Sequence, residues 1–157
     1  MATAIVIYYT RTGNTEEMAN IIGETLENEG IDTSIQHVEN TDISELQKHD
    51  GIIIGSPTYY GTMAAEIKKF LDESVQFHGK LDGKVGGAFA SAGHLGGGNE
   101  TTVLSILEGL LIHGIIVQGD PEGDHYGPCA VGAPDERARQ ECENLGRRMA
   151  DLIKKLE

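Results

Sequence analysis

Five short apolar runs alternate with stretches of helical periodicity along this chain, and that alternation limits the folds open to it. The runs are Ile5–Tyr9, Ile31–Val38, Gly51–Gly55, Val85–Ser91 and Ile115–Val117. The first is wholly β-branched or aromatic and the third is all apolar, as in strands buried on both faces. The second sets Ile31, Thr33, Ile35 and His37 against polar neighbours, which suggests one wetter face. Met18, Ile21, Ile22, Thr25 and Leu26 recur at helix spacing, as do Ile67, Phe70 and Leu71, and so do Val103, Ile106, Leu107, Leu110 and Leu111, expected on the inner side. Asp135–Leu156 is the last such stretch, and Thr41–Lys48 reads as a short polar turn of helix. Strand and helix in alternation predict a parallel sheet with helices on both faces, a three-layer α/β sandwich. With right-handed crossovers, five strands wind in the order 2-1-3-4-5. At 157 residues the chain is expected to form one domain, 1–157.

Ligands of such sheets bind beyond the carboxyl ends of the strands, at the switch point between strands 1 and 3. Three loops of unusual composition fall at that edge. After strand 1 comes Thr10-Arg11-Thr12-Gly13-Asn14-Thr15, placed directly before a helix. Helix N-terminal N–H groups have no intrahelical partner and sit at the positive end of the macrodipole, so hydroxyls, an amide and a glycine there suit a phosphate. A simpler reading is a helix capped by Thr12 or Asn14. That explains one residue and leaves the other polar side chains unexplained. No Gly-Lys-Ser/Thr follows, and G-x-G-x-x-G is absent, which excludes the two common nucleotide loops.

After strand 3 comes Ser56-Pro57-Thr58-Tyr59-Tyr60-Gly61, where Pro57 is expected to end regular structure and two tyrosines offer aromatic faces. After strand 4 comes Ser91-Ala92-Gly93-His94-Leu95-Gly96-Gly97-Gly98-Asn99-Glu100, rich in bare backbone. A flat heteroaromatic with a phosphate tail satisfies all three loops. Gly119–Pro134 is expected to be one long loop.

Composition removes several alternatives. Twelve basic against 25 acidic residues give a formal charge of −13, which argues against nucleic acid and suits either docking with basic protein partners or simple solubility. No apolar run approaches the roughly 20 residues that cross a bilayer, so no membrane role is expected. A strand close to Met1, without a basic leader, points to a cytoplasmic chain. Cys129 and Cys142 lack metal spacing. They read as idle thiols, although one bridge between them is possible.

The first loop resembles the FMN-phosphate loop of the flavodoxin family. Ser56-Pro-Thr-Tyr-Tyr-Gly61 is similar to that family's flavin-stacking loop, and Ser91-Ala-Gly to Gly-Gly-Asn-Glu-Thr101 to the loop that bonds the pyrimidine edge. The later loops, with His113-Gly114 and Tyr126-Gly127, resemble the tryptophan-repressor-binding-protein type of NAD(P)H:quinone oxidoreductase. What the resemblance implies is FMN as cofactor, held by Thr10 to Thr15, by Ser56 to Gly61 with Tyr60 or Tyr59 stacking, by Ser91 to His94 and Gly96 to Gly98, and by Tyr126. It implies no metal, and redox chemistry on the flavin with Gly61 and His94 beside it; the Gly61 peptide would bond the reduced N5. Two functions follow from it: an electron carrier between protein partners, or an FMN-dependent NAD(P)H:quinone oxidoreductase, as a monomer or a homo-oligomer. Thr12 stands where the reductases have a bulky aromatic, Ile112 where they have a flavin-contacting histidine, and two of their insertions are missing or shortened. The carrier is therefore the expected function.

Overall fold

The computed structural model describes residues 1–157. Along the chain run β1 (Thr3–Tyr8), α1 (Asn14–Asn28), β2 (Asp32–His37), α2 (Glu45–Lys48), β3 (Gly51–Tyr59), β4 (Thr62–Met63) and α3 (Ala65–Glu73). Then come β5 (Val85–Ala92), α4 (Asn99–Ile112), β6 (Ile116–Val117), β7 (Cys129–Val131) and α5 (Glu136–Leu156). β2, β1, β3, β5 and β6 lie side by side, all parallel, in the order the alternation predicts.

Two short strands exceed the expected five. β4 turns back antiparallel on the end of β3, and β7 pairs with the end of β5 inside the segment expected to be loop. The outer strand is therefore split, with β6 against Val85 and Gly86 and β7 against Ala90 to Ala92. Three residues of strand carry too little periodicity to be read from sequence.

β3 also runs through Pro57, against expectation. Tyr9 N–H donates to Gly55 O on the β1 side, so two residues on, the missing N–H of Pro57 faces that side as well. β1 has ended there, its last residue Tyr8 lying opposite Gly55. No ladder bond is lost.

α1 and α5 cover one face, packing Met18, Ile22, Leu26, Cys142, Met149 and Ile153 on Val6, Ile53 and Phe89. α3 and α4 cover the other, with Ile67, Phe70, Val103, Ile106 and Leu110 on Ile5, Ile7, Ile52 and Ile54. Gly55 makes room for a ring: a Cβ there would sit 2.1 Å from Phe89. Cys129 and Cys142 belong to opposite layers, and both are free. Burial pushes each thiol up to about 12, so neither is a nucleophile at neutral pH. No helix is long and apolar enough to cross a membrane.

Candidate functional site

Parallel register brings the carboxyl ends of β1, β3 and β5 to one edge, with Tyr8 opposite Gly55 and Pro57 opposite Ser91. The first loop closes on itself there. Gly13 N–H donates to Thr10 Oγ1 at 2.9 Å. Gly13, at φ 97°, is itself the residue that precedes α1, and no side chain caps the helix. The cap by Thr12 or Asn14 that the simpler reading offered is absent, because a left-handed glycine at that position brings no side-chain oxygen.

The N–H groups of Asn14, Thr15 and Glu16 consequently have no protein partner. The two carboxylates of the first turn, Glu16 and Glu17, are both drawn aside from the helix end. Glu16 accepts from Tyr8 Oη at 3.0 Å, and Glu17 is paired with Arg139 of α5. The positive end of α1 is left for an anion from outside. Arg11 and Thr12 are exposed beside it, while Thr15 is buried with its Oγ1 2.9 Å from Ser91 Oγ.

The second loop is a hairpin. Tyr59 lies opposite Thr62, leaving Tyr60 and Gly61 as a two-residue turn with φ of 48° and 82°, the pattern of a type I′ turn. Strand alternation separates the two tyrosines. Tyr59 turns inward against Tyr9, ring centroids 6.5 Å apart, while Tyr60 stands fully exposed at the tip. Of the pair, only Tyr60 offers a free face. Ser56 is buried and spent within the loop, its Oγ accepting from Ala64 N–H at 2.8 Å and donating to Pro57 O at 2.7 Å.

The third loop packs against the second. Gly98 approaches so closely that a Cβ on it would sit 2.6 Å from Gly61 Cα. Gly93, His94, Gly96 and Gly97 are exposed, Ala92 is buried, and Gly97 N–H donates back to His94 O at 3.1 Å. Hydroxyls of α4 then tie the two loops together. Thr101 Oγ1 donates to Gly61 O at 2.6 Å and also lies 2.9 Å from Gly98 O. Thr102 Oγ1 reaches Thr58 Oγ1 at 3.1 Å, and Thr62 Oγ1 reaches Ser105 Oγ at 3.2 Å.

Thr101, Thr102 and Ser105 escaped the sequence reading as site residues. Their one signal is that three hydroxyls crowd the first turns of a helix that otherwise faces the core. Tyr126, about half exposed, lines a small hollow against α5 with Gln118, Leu145 and Arg148, apart from the three loops. Its segment is firmly held. Asp124 accepts from Arg137 Nη1 and from Cys129 N–H, both at 2.9 Å, and Arg148 donates to Gly119 O at 2.6 Å.

The three loops thus meet at one edge of the sheet: the uncapped start of α1, the exposed ring of Tyr60, and the bare backbone of the third loop packed against Gly61. A family model described as Flavodoxin matches residues 6–98. A flavodoxin of Aquifex aeolicus (strain VF5) is 38% identical, over 98% of this chain and 88% of its own length. An NAD(P)H dehydrogenase (quinone) of Archaeoglobus fulgidus is 32% identical over 190 aligned positions, 99% of this chain and all of its own. Among solved structures, a flavodoxin from the domain Archaea superposes with a TM-score of 0.81 at 31% identity, covering 97% of this chain and 99% of that one.

Proposed function

The chain belongs to the flavodoxin family, and on that premise we propose that it carries electrons between protein partners in the cytoplasm, acting as one unit over residues 1–157. FMN is its cofactor. The residues present fit that group, because the uncapped start of α1 is an anion seat that the protein does not fill from its own side chains. The free N–H groups of Asn14, Thr15 and Glu16, with Thr10, Thr12 and Thr15, would hold the phosphate. Tyr60 would stack on the ring, and backbone groups of Gly93 to Gly98 would bond its polar edge. Bound FMN supplies the redox chemistry. These residues would seat the phosphate and fix the ring plane, with Gly61 held at the hairpin tip by Thr101.

The observation that carries the carrier reading is the row of exposed apolar groups at the sheet edge where the three loops meet. Tyr60, Leu95 and Val131 are exposed near it, on a molecule of charge −13. Such a face suits a basic partner that docks and leaves. The quinone-oxidoreductase relative needs 190 aligned positions against 157 residues here, so segments that could wall a second substrate are missing.

One feature favours the second reading, an FMN-dependent NAD(P)H:quinone oxidoreductase. A hollow of about 590 Å³ lies beside the third loop, lined by Leu95, Gly98, Thr101, Cys129, Val131 and Arg137. Anaerobic titration of the FMN-loaded protein with NADH and NADPH separates the two. A carrier keeps its flavin oxidised with either nicotinamide and is reduced by dithionite in two separate one-electron steps. Rapid bleaching, with turnover on added benzoquinone, would establish the reductase instead.

A further inference from the structure

The buried contact between Thr15 and Ser91 holds one hydrogen more than it can use. Each hydroxyl carries a single hydrogen and can also accept. The oxygens are 2.9 Å apart, and both residues are shut from solvent, Thr15 at 1% exposure and Ser91 at 5%. One hydrogen lies between them. Neither oxygen has another protein partner, so the second hydrogen has none. A buried donor left in that state is unfavourable, so the pair gains by finding it an acceptor.

Position decides which hydroxyl carries the spare hydrogen. Thr15 stands at the start of α1, among the free N–H groups of Asn14, Thr15 and Glu16. Ser91 lies at the end of β5, two residues from Phe89 and on the same face of the sheet, against α1. A hydrogen pointing outward from Thr15 joins a group of donors that converge on an anion. A spare hydrogen on Ser91 joins none.

We propose that Ser91 is a positioning residue whose hydroxyl donates to Thr15 Oγ1 and so turns the Thr15 hydrogen toward the phosphate of the bound ligand. This rests on the FMN reading above. The chain runs from Ser91 to Thr15 to the anion, and each donor polarises the next. Ser91 therefore acts on the phosphate end, although the loop it opens resembles one that serves the ring. The end of β5 and the start of α1 are set by the same ligand atom, which couples the third loop to the first.

The test is calorimetric titration of ligand-free protein with FMN, riboflavin and inorganic phosphate. Wild type, Ser91→Ala, Ser91→Cys, Thr15→Val and the Ser91→Ala/Thr15→Val double variant are compared, with melting of each ligand-free variant as the folding control. Ser91→Ala is expected to weaken FMN and inorganic phosphate about threefold to tenfold, the worth of one ordinary hydrogen bond, and to leave riboflavin unchanged. It should also move the ³¹P resonance of bound FMN. Ser91→Cys, a weaker donor of similar size, should fall between. The double variant should bind FMN no more weakly than Thr15→Val alone, because Ser91 has no route to the phosphate except through Thr15. Equal weakening of FMN and riboflavin would place Ser91 against the ring and overturn the proposal. So would unchanged FMN affinity, which would mean that Thr15 donates to Ser91. Wild type that binds FMN no more tightly than riboflavin would remove the phosphate seat itself, a failure of the underlying reading that the variants are not needed to see.

Discussion

Among the hydroxyls of α4 that join the two loops expected to grip the flavin ring, that of Thr101 reaches the hairpin tip itself, at Gly61 O. Gly98 O already accepts from Thr102 N–H and Thr102 Oγ1, each at 2.9 Å, so the Thr101 hydrogen is better used on Gly61 O. Thr101→Val should speed FMN dissociation about threefold to tenfold, since one net hydrogen bond of roughly 0.5–1.5 kcal/mol is removed. Thr101→Ser should stay near wild type, and recovery of flavin fluorescence on dilution reads both. A second residue acts through shape. Gly55→Ala puts a methyl into the Phe89 ring and should lower stability by about 1–3 kcal/mol, seen as a shift in the urea midpoint. At this scale the sequence was partly legible. Threonines and a glycine in the first loop spoke for an anion because their chemistry is local. Which tyrosine faces out was not legible, because that depends on where β3 ends and on the two positive φ values of the hairpin. Ser56 read as a ligand candidate, yet its hydrogen bonds close its own loop.

Helix starts show how the same local chemistry serves opposite ends. α5 begins conventionally, with Asp135 accepting from Ala138 N–H at 2.8 Å. α1 begins with a left-handed glycine and no side-chain acceptor. Asp135→Ala should therefore cost about 1 kcal/mol of stability with or without ligand. Thr12→Ala should leave the ligand-free protein nearly unchanged, because no cap is lost, and should weaken FMN binding by removing a hydroxyl beside the anion seat. Urea unfolding beside FMN titration distinguishes the two helices. Helices and inner strands were readable from periodicity, as Met18, Ile22 and Leu26 and the Ile52–Ile54 run show. β4 and β7 were not, since strands of two or three residues exist only through the neighbours they pair with. Pro57 misled for a related reason: its missing N–H matters only if a partner strand is present on that side.

Across the whole molecule, the alternation of elements settled the sheet order, and the sheet order settled where the three loops meet. Charge and pH act at this scale too. His113 is buried and donates Nε2–H to Ser74 Oγ at 2.7 Å, the Ser74 hydrogen being given to Leu71 O. Burial, then His78 nearby, holds its pKa below the usual histidine value. The unfolded chain thus takes up a proton more readily than the folded one. His113 leaves stability undiminished above about pH 6.5 and lowers it progressively as pH falls through the window below. Urea midpoints at pH 7.5 and 5.5 should differ in wild type, and the difference should shrink in His113→Gln. The uncapped start of α1 reaches further than binding. A helix whose first turn is completed by a diffusible molecule leaves its chain short of one structural part whenever that molecule is scarce. Saturation at a hundred times the dissociation constant adds about 2.7 kcal/mol to the folded state. Flavin supply would then govern not only how many copies carry electrons but how long each copy survives the cell's proteases.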